Sequence, residues 1–330
     1  MKRKKVLITG ANGFLGANLA RQLCRIQYDV RVLVRMNANL TGITDVPCEI
    51  WYGNIDNKKD VLDAVIGCDI VIHSAAITDQ WGIGFETYER INFTGTQYIC
   101  EACLEKNISK LIFVSTANTM GPGTKEKPGT ELNGFTLFHA GSGYINSKYL
   151  AQQYVLEQVQ KKQLPAVIVN PTFMIGPEDR KPSSGKLLLY GLNKKILFYP
   201  PGGKNFVYIE DVCNGIINAI DMGRTGECYL LAGHNLSYGE FFRMVNKLAD
   251  EPKWMFRIPV FALKAAGIIG SIRQRLTGKN GKLNYANAYM LCLNNYYSSR
   301  KAQRELMLPV TPMVVAVSHT LDWFRKNNYC

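Results

Sequence analysis

Six short apolar runs punctuate the first half of this chain: "KVLIT", "VRVLV", "EIWYG", "DIVIHS", "KLIFVS" and "AVIVNP". They are rich in Val and Ile and mostly apolar throughout, which is how strands read when a parallel sheet is covered on both faces. Helical patterns separate them, over residues 14–26, 58–66, 86–106 and 143–162. Strand–helix alternation implies right-handed crossovers, so the pattern predicts an α/β fold with a doubly wound parallel sheet of the Rossmann kind. After Pro171 the rhythm changes. "GPEDRKPSSG" and "FYPPGGKN" read as Pro/Gly loops, sheet is expected near 206–208 and 228–231, and helices over 237–249, 260–275 and 313–326. The chain thus divides into a large part, 1–170 with a return at 204–233, and a smaller, mainly helical part over 171–330, interleaved with the first.

The first strand hands over to a helix through "TGANGFLG", with Gly10, Gly13 and Gly16 spaced G-x-x-G-x-x-G. In a strand–turn–helix context such a turn is a pyrophosphate site. Gly10 permits the tight turn, Gly13 lets backbone approach the phosphates, and Gly16 lets the helix pack on the strand. The helix N-terminus adds unpaired N–H groups and a partial positive charge. This makes 1–170 a nucleotide-binding domain and 171–330 the candidate substrate region. The second strand ends in Val34 and Arg35, where a NAD site would carry an acid for the ribose hydroxyls. An apolar residue followed by Arg favours a 2′-phosphate, hence NADP(H), with NAD(H) the alternative.

Composition narrows the partners. The net charge of +13 suits anionic partners, but only "KRKK" at the start is densely basic and no aromatic residues interleave with it. A phosphate-bearing small molecule is expected rather than a nucleic acid. Nine cysteines without a framework spacing suggest a reducing compartment, the cytoplasm; Cys100 and Cys103 form a C-x-x-C inside an expected helix and read as small packing residues. No signal-peptide pattern opens the sequence. The longest apolar stretch, 258–272, is too short to span a bilayer and is interrupted by Lys264. Arg257, Arg273 and Arg275 flank it, which hints at a membrane surface, but the expectation is a buried C-terminal helix without membrane contact. The four histidines, His73, His139, His234 and His319, have no close ligand partners in sequence, so no metal site is expected.

"TGANGFLG" (9–16), "YINSK" (144–148) and "NPTFMIGP" (170–177) together resemble the extended short-chain dehydrogenase/reductase family. "GNID", "HSAA", "NFTGT" and "FVYIEDV" follow in the expected order, so the resemblance covers nearly the whole chain. Within the family, "VIVNPTFMIGPEDRKPSSG" and "GECYLLAGHNLSYGEFF" are most similar to the dihydroflavonol-4-reductase-like branch. That branch also holds the hopanoid-associated sugar epimerases and lies near the 3β-hydroxysteroid dehydrogenases.

Tyr144 and Lys148 are four apart, on one face of a helix. A free phenol, with a pKa of about 10, exchanges protons poorly at neutral pH, and a nearby ammonium favours the phenolate. The resemblance implies that Tyr144 is the general acid/base and that Lys148 tunes it and binds the nicotinamide ribose. It implies a third member at the end of the fifth strand, Thr116, with Ser115 as the fallback. It also implies cofactor contacts from Thr9, Gly10, Asn12, Gly13, Phe14, Leu15 and Gly16 around the pyrophosphate, and from Asn54 and Ile55 beside the adenine. Ser74, Ala75, Ala76 and Ser115 would line the groove, and Pro171 and Thr172 would meet the nicotinamide amide. Family members often have Asp at the place of Asn54. Asn92 is expected to brace the site, and His73 to pack at a strand end rather than act as a base.

Four functions compete: an oxidoreductase using NADP(H), a nucleotide-sugar epimerase, a sugar-nucleotide dehydratase and a non-catalytic redox sensor. Ala117 and Asn118 stand where dehydratases carry acids, and the Tyr/Lys pair is dispensable in a sensor but present here. The reductase is favoured over the epimerase by Arg35. The substrate is a small molecule, for which loops 134–143 and 177–191, with Phe135, Leu137, Phe138 and Leu187 to Leu189, suggest a lipophilic or aromatic pocket. Family members often dimerise through helices corresponding to 86–106 and 143–162, so a homodimer is expected.

Overall fold

The computed structural model describes residues 3–79, 83–138, 141–277 and 283–330. Lys2, His139 and the centre of loop 134–143 lie outside the described residues. The six apolar runs are six strands: β1 (Lys5–Thr9), β2 (Asp29–Val34), β3 (Glu49–Tyr52), β4 (Ile70–His73), β5 (Lys110–Val114) and β6 (Ala166–Pro171). The helices between them are α1 (Phe14–Arg25), α2 (Lys58–Val65), α3 (Phe85–Tyr88), α4 (Gly95–Glu105) and α5 (Gly143–Lys162). A π-helical turn, Glu89–Thr94, joins α3 to α4, so the helix expected over 86–106 is one rod with an internal bulge. Such turns recur at functional sites.

Beyond β6 come β7 (Phe173–Ile175), α6 (Gly185–Gly191), β8 (Ile196–Tyr199), β9 (Gly203–Tyr208) and α7 (Ile209–Met222). They are followed by β10 (Cys228–Leu231), β11 (His234–Ser237), α8 (Tyr238–Ala249), β12 (Trp254–Arg257), α9 (Val260–Thr277) and α10 (Tyr285–Cys292). The chain ends through β13 (Asn294–Asn295), α11 (Arg300–Leu306) and α12 (Met313–Lys326).

β1 to β6 and β10 form a seven-stranded sheet in the order β10-β6-β5-β4-β1-β2-β3. Every pairing in it is parallel. Alternate residues of each strand enter different cores. Val6 and Ile8 pack on the side of α1 and α7, while Leu7 packs with α2, α4 and α5. Ile112 and Val114 likewise oppose Leu111 and Phe113. Two-sided burial is why these strands lack polar alternation. The strand order reverses between β1 and β4, whose carboxyl ends meet where Thr9 pairs with His73. A ligand crevice opens at such a switch point.

A second sheet, β11-β9-β13 with β7 on β9, is reached from β6 through the single residue Thr172. A two-stranded parallel sheet, β12 with β8, lies apart from both. Here the expectation of a buried C-terminal helix fails. In α9 only Leu263 and Gly267 are buried, whereas Phe261, Ile268, Ile269, Ile272 and Leu276 are exposed. The helix packs on α10 through small residues, so its large side chains point the other way.

Candidate functional site

The glycine turn is shaped as an anion cradle. Gly10 has φ +75°, and a Cβ there would stand 2.8 Å from the Ala75 backbone. A Cβ on Gly16 would overlap the Gly10 carbonyl oxygen. Gly13 is the N-cap of α1 and supplies no side-chain cap, and the first turn holds no acid. The leading N–H groups of α1 are therefore left to an external acceptor, which suits a pyrophosphate. Asn12 and Gly13 are exposed and Phe14 half-buried around this turn, while Leu15 packs beneath it.

A directed relay holds the floor of the crevice. Thr96 Oγ1 donates to the Asn92 carbonyl (2.7 Å), so it accepts from His73 Nε2–H (3.0 Å). His73 Nδ1 is then the acceptor for the Thr9 hydroxyl (2.7 Å), and Thr9 Oγ1 accepts from the Ala75 N–H (3.1 Å). Burial pushes His73 down to about 3, so it stays neutral and structural. Ser74 Oγ donates to the Thr9 carbonyl (2.7 Å). Ala75 and Ala76 present small, half-buried side chains along the groove. Asn92 accepts from the Ile77 N–H (2.8 Å) and donates to the Ile77 carbonyl and to Ser147 Oγ (3.0 Å), joining the groove wall to α5.

Thr116, just past β5, caps a short 3₁₀ turn by accepting from the Asn118 N–H (3.3 Å). Its hydroxyl also acts on the Tyr144 phenol, near the start of α5. Burial raises the phenol above its ordinary value, and only the Thr116 contact pulls it down. Lys148 Nζ turns to β5, donating to the Val114 carbonyl (2.8 Å) and lying 4.3 Å over the Phe113 ring. Burial lowers this amine to about 7. Behind the pair, Asn170 Nδ2 donates to Gln152 Oε1 (2.8 Å) and to the Thr116 carbonyl (3.1 Å). Thr119 joins the same cluster through Gln152 (2.9 Å). Ser115 Oγ is buried without a partner.

Thr116 opens into a cleft of roughly 60 Å³, walled by Pro171, Thr172, Phe173, Lys204, Asn295 and Tyr297 among others. Thr172 Oγ1 is tied to Asn205 Oδ1 (2.7 Å). Sequence reasoning did not single out Lys204 or Asn295. Lys204 lies 5.0 Å over the Phe173 ring, and burial lowers it to about 8. A lysine two residues ahead of the apolar run "FVY", within the same strand β9, was the available signal. Asn295 is buried with neither its Nδ2 nor its Oδ1 partnered; "NNYY" offered no hint of that.

Other expected residues lie further off. Arg35 is exposed at the end of β2, Asn54 is exposed with its N–H on Asp60 (2.8 Å), and Ile55 packs against Gly95. Leu187 to Leu189 do not wall the cleft: α6 packs on α8, with Leu188 fully buried in the core. Leu137 is buried, and Phe135 stacks on Tyr149 at 4.2 Å. Among the described residues no group of three or more His, Cys, Asp or Glu could hold a metal ion.

Residues 6–232 match the NAD dependent epimerase/dehydratase family, and the chain belongs to it. It is an NAD(P)-dependent enzyme on the extended short-chain dehydrogenase/reductase fold. A Synechocystis sp. protein provisionally named dihydroflavonol 4-reductase is 28% identical over 328 residues, 98% of this chain and 95% of that protein. Sterol demethylase protein B of Methylococcus capsulatus is 26% identical over 327 residues, 97% of this chain and 98% of that one. The crystal structure of gox2253 superposes with a TM-score of 0.87 at 30% identity, covering 98% of this chain and 99% of that chain.

Proposed function

We propose that this chain is an NADP(H)-dependent oxidoreductase that reduces a carbonyl, or oxidises the corresponding secondary alcohol, of a small lipophilic or aromatic substrate. The observation that carries the reading is the Tyr144–Thr116 hydroxyl pair beside a cleft at the carboxyl end of the sheet. A nicotinamide bound in the groove supplies or accepts the hydride. Thr116 hydrogen-bonds the substrate oxygen and Tyr144 gives it a proton, so that developing negative charge meets donors already in place. The raised phenol keeps its proton at neutral pH, which suits reduction. Lys148, at the floor, binds the ribose hydroxyls. The turn from Thr9 to Gly16 holds the pyrophosphate, and the exposed Arg35 takes the 2′-phosphate. Asn54 and Ile55 flank the adenine; Ser74, Ala75, Ala76 and Ser115 line the groove; Pro171 and Thr172 face the nicotinamide.

Names of relatives that include a sterol enzyme support a lipophilic substrate. A homodimer through α4 and α5, a cytoplasmic setting, and a division into a nucleotide part (1–170 with 204–233) and a substrate part belong to the same reading. The test is a panel of ketones, aldehydes and sugar nucleotides followed by NADPH absorbance. Carbonyl reduction that Tyr144→Phe abolishes and that Arg35→Ala shifts towards NADH supports it. Purified protein that retains NAD and interconverts sugar nucleotides would replace it with the epimerase. A light-scattering mass near 37.0 kDa would remove the dimer.

A further inference from the structure

α9 is inside out for a helix that meets only protein and water. Its packing side is small. A Cβ on Gly267 would stand 2.5 Å from the Ala288 Cβ, one on Gly270 would overlap the Leu283 carbonyl, and Ser271 Oγ accepts from the Tyr285 N–H at 2.9 Å. These contacts seat α9 on α10. On the opposite side Phe261, Ala265, Ile268, Ile269, Ile272 and Leu276 recur at spacings of three and four and are all exposed, Phe261 by 76%, Ile269 by 66% and Leu276 by 81%. At 3.6 residues per turn they make one apolar stripe about 100° wide. Lys264 and Arg275 fall along one border of that stripe and Arg273 along the other.

The neighbouring two-stranded sheet repeats the anomaly. Ile196 and Phe198 of β8 pair in register with Trp254 and Phe256 of β12, and all four are exposed, Trp254 by 74%. Only Ile258 and Pro259 separate β12 from α9. Charge follows a matching rule. From residue 252 to 304 the sequence contains no Asp or Glu, while Lys253, Arg257, Lys264, Arg273 and Arg275 punctuate it. Glu251, the acid just before this stretch, is already paired with Lys253 at 2.5 Å.

We propose that α9, with the exposed side of β8 and β12, is a peripheral docking surface for an anionic lipid bilayer. The apolar stripe sits at the boundary of headgroups and acyl chains, and its basic borders meet the anionic headgroups. A second copy is a poor occupant, because an isologous contact sets each acid-free basic border against itself. A bilayer supplies both the apolar layer and the negative charge. The docked helix connects to the cleft through the chain: α10, which carries α9, ends two residues before β13, whose Asn295 walls the cleft. Docking does not depend on the redox reading.

The experiment is flotation of the full chain with phosphatidylcholine vesicles, with and without phosphatidylglycerol. The intact protein is expected to float with the phosphatidylglycerol vesicles and to be released by salt. Ile269→Glu/Ile272→Glu is expected to reduce the bound fraction about tenfold or more with an unchanged melting temperature. Lys264→Gln/Arg273→Gln/Arg275→Gln is expected to erase the preference for the anionic lipid. Should the glutamate variant unfold, Ile269→Ser/Ile272→Ser gives the same reading without an added charge. No flotation, flotation indifferent to both the apolar and the basic substitutions, or a dimer in light scattering that the variants dissolve would overturn the proposal.

Discussion

α5 and α9 are the two long helices whose polarity runs against their surroundings, and they do so in opposite senses. α5 buries Ser147, Lys148, Gln152 and Gln158. α9 buries only Leu263 and Gly267 and leaves its isoleucines outside. At the site end of α5 the anomaly is answered within the chain: Lys148 donates to Val114, and Gln152 accepts from Thr119 and Asn170. Burying such groups is tolerable only when they are hydrogen-bonded. In α9 the large apolar residues have no such answer in the fold. Polarity reversed and compensated inside marks a site of chemistry; polarity reversed and left open marks a surface that meets something else.

The contrast yields graded tests. Tyr144→Phe keeps the ring and removes the proton donor, so reduction measured by NADPH consumption should fall about a thousandfold while the melting temperature holds. Substitutions at the points where the two helices are held to the fold rank next. Leu263→Ala should cost about 2–3 kcal/mol in chemical denaturation, and Asn170→Ala, which strips Gln152 and the Thr116 carbonyl of a donor, about the same. A change in the Tyr144→Phe melting temperature as large as these would mean the phenol is structural.

Acid should reach the relay beneath the groove. His73 has a folded value of about 3 against an ordinary 6.5, so the unfolded chain binds the extra proton between them. Its contribution is complete above about 6.5 and is lost as pH falls towards about 3. The stability gap between the intact protein and His73→Gln should therefore narrow on acidification; a constant gap would contradict the neutral relay. Alcohol oxidation, if assayed, should quicken as pH rises, because the raised phenol must first lose its proton. The smallest effect belongs to α9. In lipid-free buffer, Ile268→Ser or Ile272→Ser should change stability by less than about 0.5 kcal/mol. A larger cost would show that this stripe packs against protein.

Most of the sheet was legible. The six apolar runs became six parallel strands, and 143–162 and 313–326 are helices over those residues, because two-sided burial and helical period leave direct marks in sequence. The glycine turn was legible for the same reason: only glycine fits where a Cβ would strike Ala75 or Gly10. The other side of the cleft was not. Asn295 arrives from nearly 180 residues beyond Thr116, on a two-residue strand beside β9, and no local pattern announces it. Leu187 to Leu189 misled because an apolar helix reads alike whether it walls a pocket or fills a core.

What the sequence determined by itself is therefore the set of features written in short-range spacing: strand–helix alternation, the three glycines, and Tyr144 one turn from Lys148. What only the tertiary structure decided is direction. It tied the Lys148 amine to the Val114 carbonyl, left the Thr116 hydroxyl to act on the Tyr144 phenol, and pointed the α9 isoleucines outward. Spacing fixes which side chains share a face, but which face is covered depends on elements distant in the chain. Each of these outcomes was settled by packing across the fold, where burial and hydrogen-bond satisfaction are decided.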